Sequence, residues 1–268
     1  MRVLAFGVVL VWLILAAGPL LWTFLLSLRD YVDAFAIPVR WFAPITFDHY
    51  LNLWQAGGFA GNAFNTILLT GGTVTISLSI GCLAGYALSR TSSWVGLALL
   101  VFALACRAMP HAALLPSFVT FFEALGVRGS IFPLMLVLIA VNQPFTIWML
   151  RAFFLSIPRD IDDAALVDGC SRIQAFRHVI LPVMGPGLVT TGLFSFLLAY
   201  NDFLLSSALT NAENMTMPVA IATVIQADSE SLLMQGIAGS VSLTIPLMIL
   251  VAVFQRRLVA GLTQGAIK

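Results

Sequence analysis

The sequence has 268 residues, of which 60% are hydrophobic and only 9% are charged, and its formal net charge is +1. Since about a quarter of the residues in an ordinary soluble domain are charged, this composition argues against a water-soluble fold. The near-neutral charge gives no indication of a nucleic-acid partner, and the three widely spaced cysteines argue against a disulfide framework or a zinc site.

Six apolar stretches are long enough to cross a bilayer, which takes about 20 helical residues. In lipid, only helices or closed barrels satisfy the backbone, and these continuous apolar runs favour helices. The first stretch exceeds the roughly 7–15 apolar residues of a signal peptide, so a retained span is predicted. The sequence therefore predicts an all-α, polytopic membrane protein with one domain over residues 1–268 and spans at about 3–28, 64–88, 94–118, 131–154, 187–209 and 236–254.

The basic residues are distributed unevenly between the two sides of the predicted membrane. If the N-terminus is cytoplasmic, nine of the 13 Lys and Arg residues lie on the inner side. The positive-inside rule then places both termini and residues 155–183 in the cytoplasm, and residues 29–63 and 210–235 outside. The nine inner residues are Arg2, Arg90, Arg151, Arg159, Arg172, Arg177, Arg256, Arg257 and Lys268.

Two of the predicted spans carry residues that affect helix packing. Gly81 and Gly85 form a G-x-x-x-G pair in the second span, which permits close approach of another helix. That helix could belong to a second subunit or to the same chain. The third span contains Arg107, Pro110 and Pro116, so we expect this helix to be bent or broken there.

Residues 155–183 are too polar to cross the membrane and carry clear helix signals. Pro158 suits a first helical turn, and three acids follow it, where they meet the positive end of a helix dipole: Asp160, Asp162 and Asp163. Gly169 is a typical C-terminal stop. The sequence therefore predicts a short helix that ends at a glycine turn.

A second helix is predicted directly after that turn. Ser171 and Gln174 have the spacing of a capping box. Ile173, Phe176 and Ile180 recur at helical spacing and predict one apolar face. Two interpretations fit: a helix pair lying on the bilayer surface, or an element that docks into a groove on a cytoplasmic partner.

Several polar residues lie within the apolar stretches. A charge at the bilayer centre costs about 2.5–3.5 kcal/mol, so Arg107 and Asp202 are expected to face a cavity or a partner helix. Alternatively, Arg107 snorkels to the interface, His111 is a packing residue, and Asn201 and Asp202 cap or cross-link helices. The candidate solute pathway comprises Arg107, His111, Asn142, Gln143, Asn201 and Asp202.

The cytoplasmic loop resembles the EAA loop of ABC importer permeases. That pattern is Glu-Ala-Ala, three residues, Gly, nine residues, Ile, one residue and Leu-Pro, and every spacing is present here. Asp163 stands where Glu is usual, and Val179 stands where Ile is usual. The resemblance implies a coupling helix that docks on a separate ATPase, with contacts from Asp163, Ala164, Ala165, Asp168, Gly169, Arg172, Phe176, Leu181 and Pro182.

Three further stretches are similar to the MalG-like, carbohydrate-type branch of that family: residues 143–148, 200–203 and 261–268. The resemblance implies a MetI-like permease core with a cytoplasmic coupling helix, and a solute of sugar type. It also implies that Thr263, Gln264 and Gly265 reach the ATPase. The expected partners are a second permease subunit, a dimer of ATP-binding subunits, an extracytoplasmic solute-binding protein and the lipid of a bacterial cytoplasmic (inner) membrane.

The chain itself lacks the motifs of an ATP site or a catalytic site. Its one lysine is Lys268, so it has no Gly-Lys-Ser/Thr loop, and neither H-E-x-x-H nor G-x-S-x-G occurs. No enzyme activity, metal or cofactor is expected on this chain, and ATP and Mg²⁺ are expected on the partner ATPase. Two rival functions are a secondary transporter or channel independent of an ATPase, and a membrane-embedded enzyme.

Overall fold

The computed structural model describes residues 2–91, 93–108 and 110–264, which form helices and short connections without a β-strand. Single helical turns and a π-helical turn occupy parts of residues 31–56. The longer helices are α1 (Arg2–Ser27), α2 (Phe59–Arg90), α3 (Trp94–Arg107), α4 (His111–Ala124), α5 (Ile131–Leu155), α6 (Asp160–Val167), α7 (Arg172–Val183), α8 (Gly185–Tyr200), α9 (Leu204–Leu209), α10 (Met217–Gln226) and α11 (Glu230–Gln264).

Four of these helices, α1, α2, α5 and α11, are long and apolar enough to cross a membrane individually. Two bent pairs, α3 with α4 and α7 with α8, raise the number of candidate spans to six if each pair counts as one. The all-α, polytopic architecture predicted from the sequence is confirmed. Helices α2 and α11 are longer than their predicted spans of 64–88 and 236–254.

The predicted break in the third stretch is confirmed. Helix α3 ends at Arg107, α4 begins at His111, and the two axes differ in direction by 92°. Pro110 has no N–H to donate and takes an extended conformation, with ψ of 114°. Pro116, in contrast, lies inside α4 without ending it.

The fifth stretch differs from the prediction of one continuous helix over 187–209. Helix α8 ends at Tyr200, and α9 begins at Leu204. The side-chain amide of Asn201 donates to the Leu197 carbonyl at 3.0 Å, which satisfies an acceptor at the end of α8. The Asp202 carboxylate accepts from the backbone N–H of Ser206 at 2.9 Å and so caps α9.

The chain divides into two compact units. The first unit contains residues up to Phe64 together with Thr216–Ile249. The second contains Asn65–Met215 and the residues from Leu250 onward. The EAA-like loop and all six candidate pathway residues belong to the second unit, which also holds two clusters of buried apolar side chains.

Close packing of α2 against α5 decides between the two interpretations of the G-x-x-x-G pair. A Cβ atom on Gly81 would lie 2.7 Å from a methyl carbon of Thr146. A Cβ atom on Gly85 would lie 3.1 Å from the backbone nitrogen of Arg151. Both glycines therefore serve packing within the chain, because α5 approaches where a side chain would stand.

We expect Gly81→Val to destabilise the chain by about 1–3 kcal/mol, because the new side chain overlaps α5 at a distance that real contacts do not reach. Thermal unfolding in detergent, followed by size-exclusion chromatography, measures the loss. Gly71→Val is the matched control on the same helix, since a Cβ there has no neighbour within 4 Å among the described residues. Equal unfolding temperatures for the two variants would contradict the packing account.

Candidate functional site

The end of α6 is fixed by a glycine turn, as the sequence predicted. Gly169 has φ of +88°, a left-handed conformation that favours glycine. Its N–H donates to the Leu166 carbonyl at 3.1 Å, and the N–H of Cys170 donates to the Ala165 carbonyl at 3.0 Å. These two bonds form a Schellman motif, which satisfies acceptors at the end of α6 and reverses the chain.

The start of α7 is fixed by the predicted capping box. The backbone N–H of Ser171 donates to the side chain of Gln174 at 2.8 Å, and the N–H of Gln174 donates to the Ser171 hydroxyl at 3.4 Å. Pro158, by contrast, lies just before the N-cap residue Arg159 rather than in the first turn of α6. The turn between α6 and α7 is therefore held from both sides by local hydrogen bonds.

The α6–α7 segment (residues 160–183) presents apolar side chains on either side of the glycine turn. Val167 is 88% exposed and Ile173 is 78% exposed. Their sequence neighbours Asp168 and Arg172 are exposed charged residues. The exposed residues of the predicted docking set are Asp163, Ala164, Asp168, Gly169, Arg172 and Pro182.

The prediction of one apolar face on α7 is wrong. Residues Phe176–Ile180 form a π-helical turn, which shifts the side chains relative to an α-helix. Ile173 is consequently exposed, while Ile180 is fully buried and Phe176 packs against a buried cluster in the same chain. Ala165 and Leu181 also face inward. Phe176 therefore supports the segment from inside rather than lying on its outer surface.

A network that the sequence analysis missed fastens α6 to the rest of the second unit. Asp162 accepts a hydrogen bond from the Tyr86 hydroxyl at 2.5 Å and forms an ion pair with Arg90 at 2.7 Å. Tyr86 and Arg90 lie in the last turns of α2. The only sequence signal was an acidic first turn in α6, which did not identify its partners.

Two of the three predicted tail contacts lie at the end of α11. Thr263 and Gln264 are the last two residues of that helix. Gly265 lies outside the described residues.

Four of the six candidate pathway residues line one cavity of about 200 Å³. Arg107 ends α3, His111 begins α4, Asn142 lies in α5, and Asp202 lies between α8 and α9. The remaining lining is apolar and consists of Leu138, Val141, Leu198, Ala199, Leu204 and Leu205. The cavity thus lies where two helix breaks meet the middle of α5.

Asn142 has the most distinctive environment in this cavity. Its side chain is 3% exposed, and neither its amide oxygen nor its amide nitrogen has a hydrogen-bond partner among the residues that the structure describes. A buried amide without partners costs about 1–3 kcal/mol. Asn142 is also one of the residues that line the cavity.

Arg107 is oriented by contacts within the chain. Its guanidinium carbon lies 5.0 Å from the centre of the Phe145 ring, and Nη1 donates to the Val141 carbonyl at 3.4 Å. These contacts direct Arg107 toward the cavity, which disfavours the snorkelling alternative. Asp202 both lines the cavity and caps α9, so the functional and structural interpretations of that residue are compatible.

The other two candidates lie outside the cavity lining. The Gln143 amide donates to the Ser77 carbonyl at 3.2 Å and links α5 to α2. Asn201 is exposed, and its amide is bonded to the end of α8. The sequence could not show that Asn142 lines the cavity and Gln143 does not, or that Asp202 does and Asn201 does not. Each pair is adjacent in the chain, and adjacent residues on a helix point in different directions.

Comparisons with known proteins show the family to which the chain is similar. Residues 77–264 match the family described as "Binding-protein-dependent transport system inner membrane component". The chain is 37% identical over 256 residues to the trehalose transport system permease protein SugB of Mycobacterium tuberculosis, with 93% of this chain and 92% of SugB covered. It is 31% identical over 254 residues to the diacetylchitobiose uptake system permease protein DasC of Streptomyces coelicolor, with 93% and 91% covered.

A solved structure has the same fold. It is a bacterial ABC transporter involved in the import of the acidic polysaccharide alginate. The TM-score is 0.79 at 22% sequence identity, and the alignment covers 95% of each chain.

Proposed function

The chain belongs to the family of binding-protein-dependent transport system inner membrane components, and from this premise we propose how it works as a permease subunit of an ABC importer. Its solute is a sugar or a sugar-like molecule, as the names of relatives SugB and DasC suggest. It forms the translocation pathway together with a second permease subunit. An extracytoplasmic solute-binding protein delivers the solute, and ATP and Mg²⁺ bind to separate ATPase subunits.

The α6–α7 segment is the proposed contact with the ATPase. The exposed side chains of Val167 and Ile173 flank a turn that is held by the backbone bonds of the Schellman motif and by the side-chain bonds of the capping box. A pre-organised turn with exposed apolar side chains is suited to insertion into a groove on a partner, because little conformational entropy is lost on docking. This exposed and pre-organised surface is the observation that carries the proposal.

The cavity lined by Arg107, His111, Asn142 and Asp202 is the proposed part of the solute pathway in this chain. Discontinuous helices are common at transporter binding sites, because their free ends supply polar groups within the membrane. Here α3 and α4 break on one side of the cavity, and α8 and α9 break on another. The unpartnered amide of Asn142 fits the hydroxyl groups of a sugar.

The proposed mechanism is alternating access driven by the ATPases. ATP binding closes the ATPase dimer and moves the α6–α7 segment, so that the permease pair exposes its pathway to the other side of the membrane. The excess of basic residues in the predicted inner loops supports an orientation with both termini in the cytoplasm.

Uptake that depends on ATP hydrolysis is the expected result that separates this function from a secondary transporter. Cells producing the complete importer should accumulate one member of a panel of radiolabelled trehalose, diacetylchitobiose and maltodextrins. Replacement of the P-loop lysine of the ATPase should abolish this accumulation, since that lysine binds the phosphates of ATP. Continued uptake by the chain with an inactive ATPase would favour the secondary transporter.

A further inference from the structure

Arg90 is the last residue of α2 and joins three helical elements. Its Nη1 donates to the carbonyls of Phe154 and Ile157 at 3.1 and 3.2 Å, where α5 ends. Its Nη2 lies 2.7 Å from a carboxylate oxygen of Asp162 in the first turn of α6. One nitrogen of the guanidinium therefore satisfies carbonyls at the end of α5, while the other forms an ion pair with α6.

Tyr86, one turn earlier in α2, contributes to the same contact between α2, α5 and α6, which we call the junction. Its hydroxyl donates to Asp162 at 2.5 Å. Its ring contacts the rings of Phe154 and Phe176, with centroid distances of 5.5 and 4.9 Å. The guanidinium of Arg90 lies 5.5 Å from the Tyr86 ring centre. The two side chains therefore bind α6 and α7 to the ends of both α2 and α5.

The ion pair is largely removed from solvent. The side chains of Arg90 and Asp162 are 16% and 14% exposed. Breaking such a pair leaves a poorly solvated charge, so the pair favours one arrangement of α6 over others. The neighbouring acids Asp160 and Asp163 are exposed, which leaves Asp162 as the acid of that turn directed into the junction.

We propose that Arg90, Tyr86 and Asp162 are positioning residues that transmit a displacement of α6 to α2 and α5. This inference rests on the proposed docking of the α6–α7 segment to an ATPase. Helix α5 then connects the junction at Phe154 to Asn142 in the cavity, 12 residues or about 18 Å away along the helix. Because of the junction, a displacement of α6 is accompanied by a displacement of α2 and α5.

The test uses the complete importer in proteoliposomes and measures solute transported per ATP hydrolysed. We expect Asp162→Asn and Arg90→Gln to lower this ratio about tenfold, a typical size for the coupling between two sites. ATP hydrolysis and the amount of assembled complex should change by less than about twofold. A role in folding alone would lower uptake, hydrolysis and assembly together, and that outcome would overturn the proposal.

If the importer with Arg90→Gln fails to assemble, the milder variant Tyr86→Phe still tests the proposal. This variant retains the aromatic contacts and removes only the hydroxyl that donates to Asp162. We expect a smaller fall in transport per ATP, and an unchanged ratio in both Tyr86→Phe and Asp162→Asn would overturn the proposal.

A separate readout distinguishes this inference from the proposed function. A benzophenone attached at Val167→Cys, in a chain whose three native cysteines are replaced, should cross-link to the ATPase. If the cross-link forms in Asp162→Asn and transport per ATP is unchanged, only the role of the junction is wrong. If the cross-link is absent from the same cysteine-replaced chain with Asp162 intact, the docking surface itself is misassigned.

Discussion

Gly169→Pro should abolish ATP-driven uptake while the chain still inserts into the membrane. Proline fixes φ near −65°, whereas Gly169 requires +88°. Proline also removes the N–H that donates to the Leu166 carbonyl at 3.1 Å. The turn between α6 and α7 cannot form, and the exposed side chains of Val167 and Ile173 lose their relative placement. We expect uptake to fall by more than about tenfold, since each lost constraint costs roughly 1–3 kcal/mol.

Gly169→Asn is the matched control for this variant. Asparagine adopts left-handed conformations more readily than other side chains and also ends helices in this way. Uptake in Gly169→Asn should stay within about threefold of the unaltered protein, since asparagine tolerates this conformation better than other side chains and keeps the N–H that donates to the Leu166 carbonyl. Measurement of membrane insertion by protease protection and of uptake in the same cells separates coupling from folding. Equal uptake by the proline and asparagine variants would contradict the assignment of this turn.

Asn142→Leu should lower solute uptake without lowering the stability of the chain. Leucine has a similar size and removes a buried amide that has no partner within the described part of the chain. We therefore expect the chain to unfold at the same or a higher temperature, with a gain of about 1 kcal/mol. Uptake should fall about tenfold, because the solute loses a donor and an acceptor in the cavity.

Gln143→Leu is the neighbouring control for this second variant. Its amide bonds to the Ser77 carbonyl and does not line the cavity. We expect a modest loss of stability with uptake largely retained, which is the reverse of the result for Asn142→Leu. Thermal unfolding in detergent and uptake in cells measure the two quantities. A fall in stability and normal uptake for Asn142→Leu would exclude Asn142 from the solute pathway.

Local signals explain which parts of the structure could be predicted from the sequence. The Gly169 turn, the Ser171 capping box and the break near Pro110 each depend on residues within one or two turns. The long apolar helices follow from composition alone. These features need no knowledge of distant contacts, so the sequence contains enough information to place them.

The features that the sequence did not reveal depend on contacts between distant residues or on small shifts in helix geometry. Tyr86 and Asp162 are 76 residues apart, and no spacing rule connects them. The π-helical turn at Phe176–Ile180 changes which side of α7 faces inward, although the spacing of its apolar residues looks α-helical. The break at Asn201 was hidden because hydropathy averaged over a span is little affected by three residues.

The cavity illustrates the same division between local and distant information. Composition identified six polar residues in apolar surroundings, and the structure brings Arg107, His111, Asn142 and Asp202 together. The other two were separated from them by the direction of their side chains. A polar residue in a span therefore predicts that something must satisfy it, and the fold decides whether that is a helix end, a neighbouring carbonyl or a cavity.

The central claim is that a separate ATPase subunit binds the exposed C-terminal end of α6. Cross-linking from Val167→Cys in the assembled importer tests this claim most directly. The benzophenone probe should attach to the ATPase subunit, and the yield should change when ATP is bound. A probe that labels only lipid, or no protein besides the permease chain itself, would contradict the account.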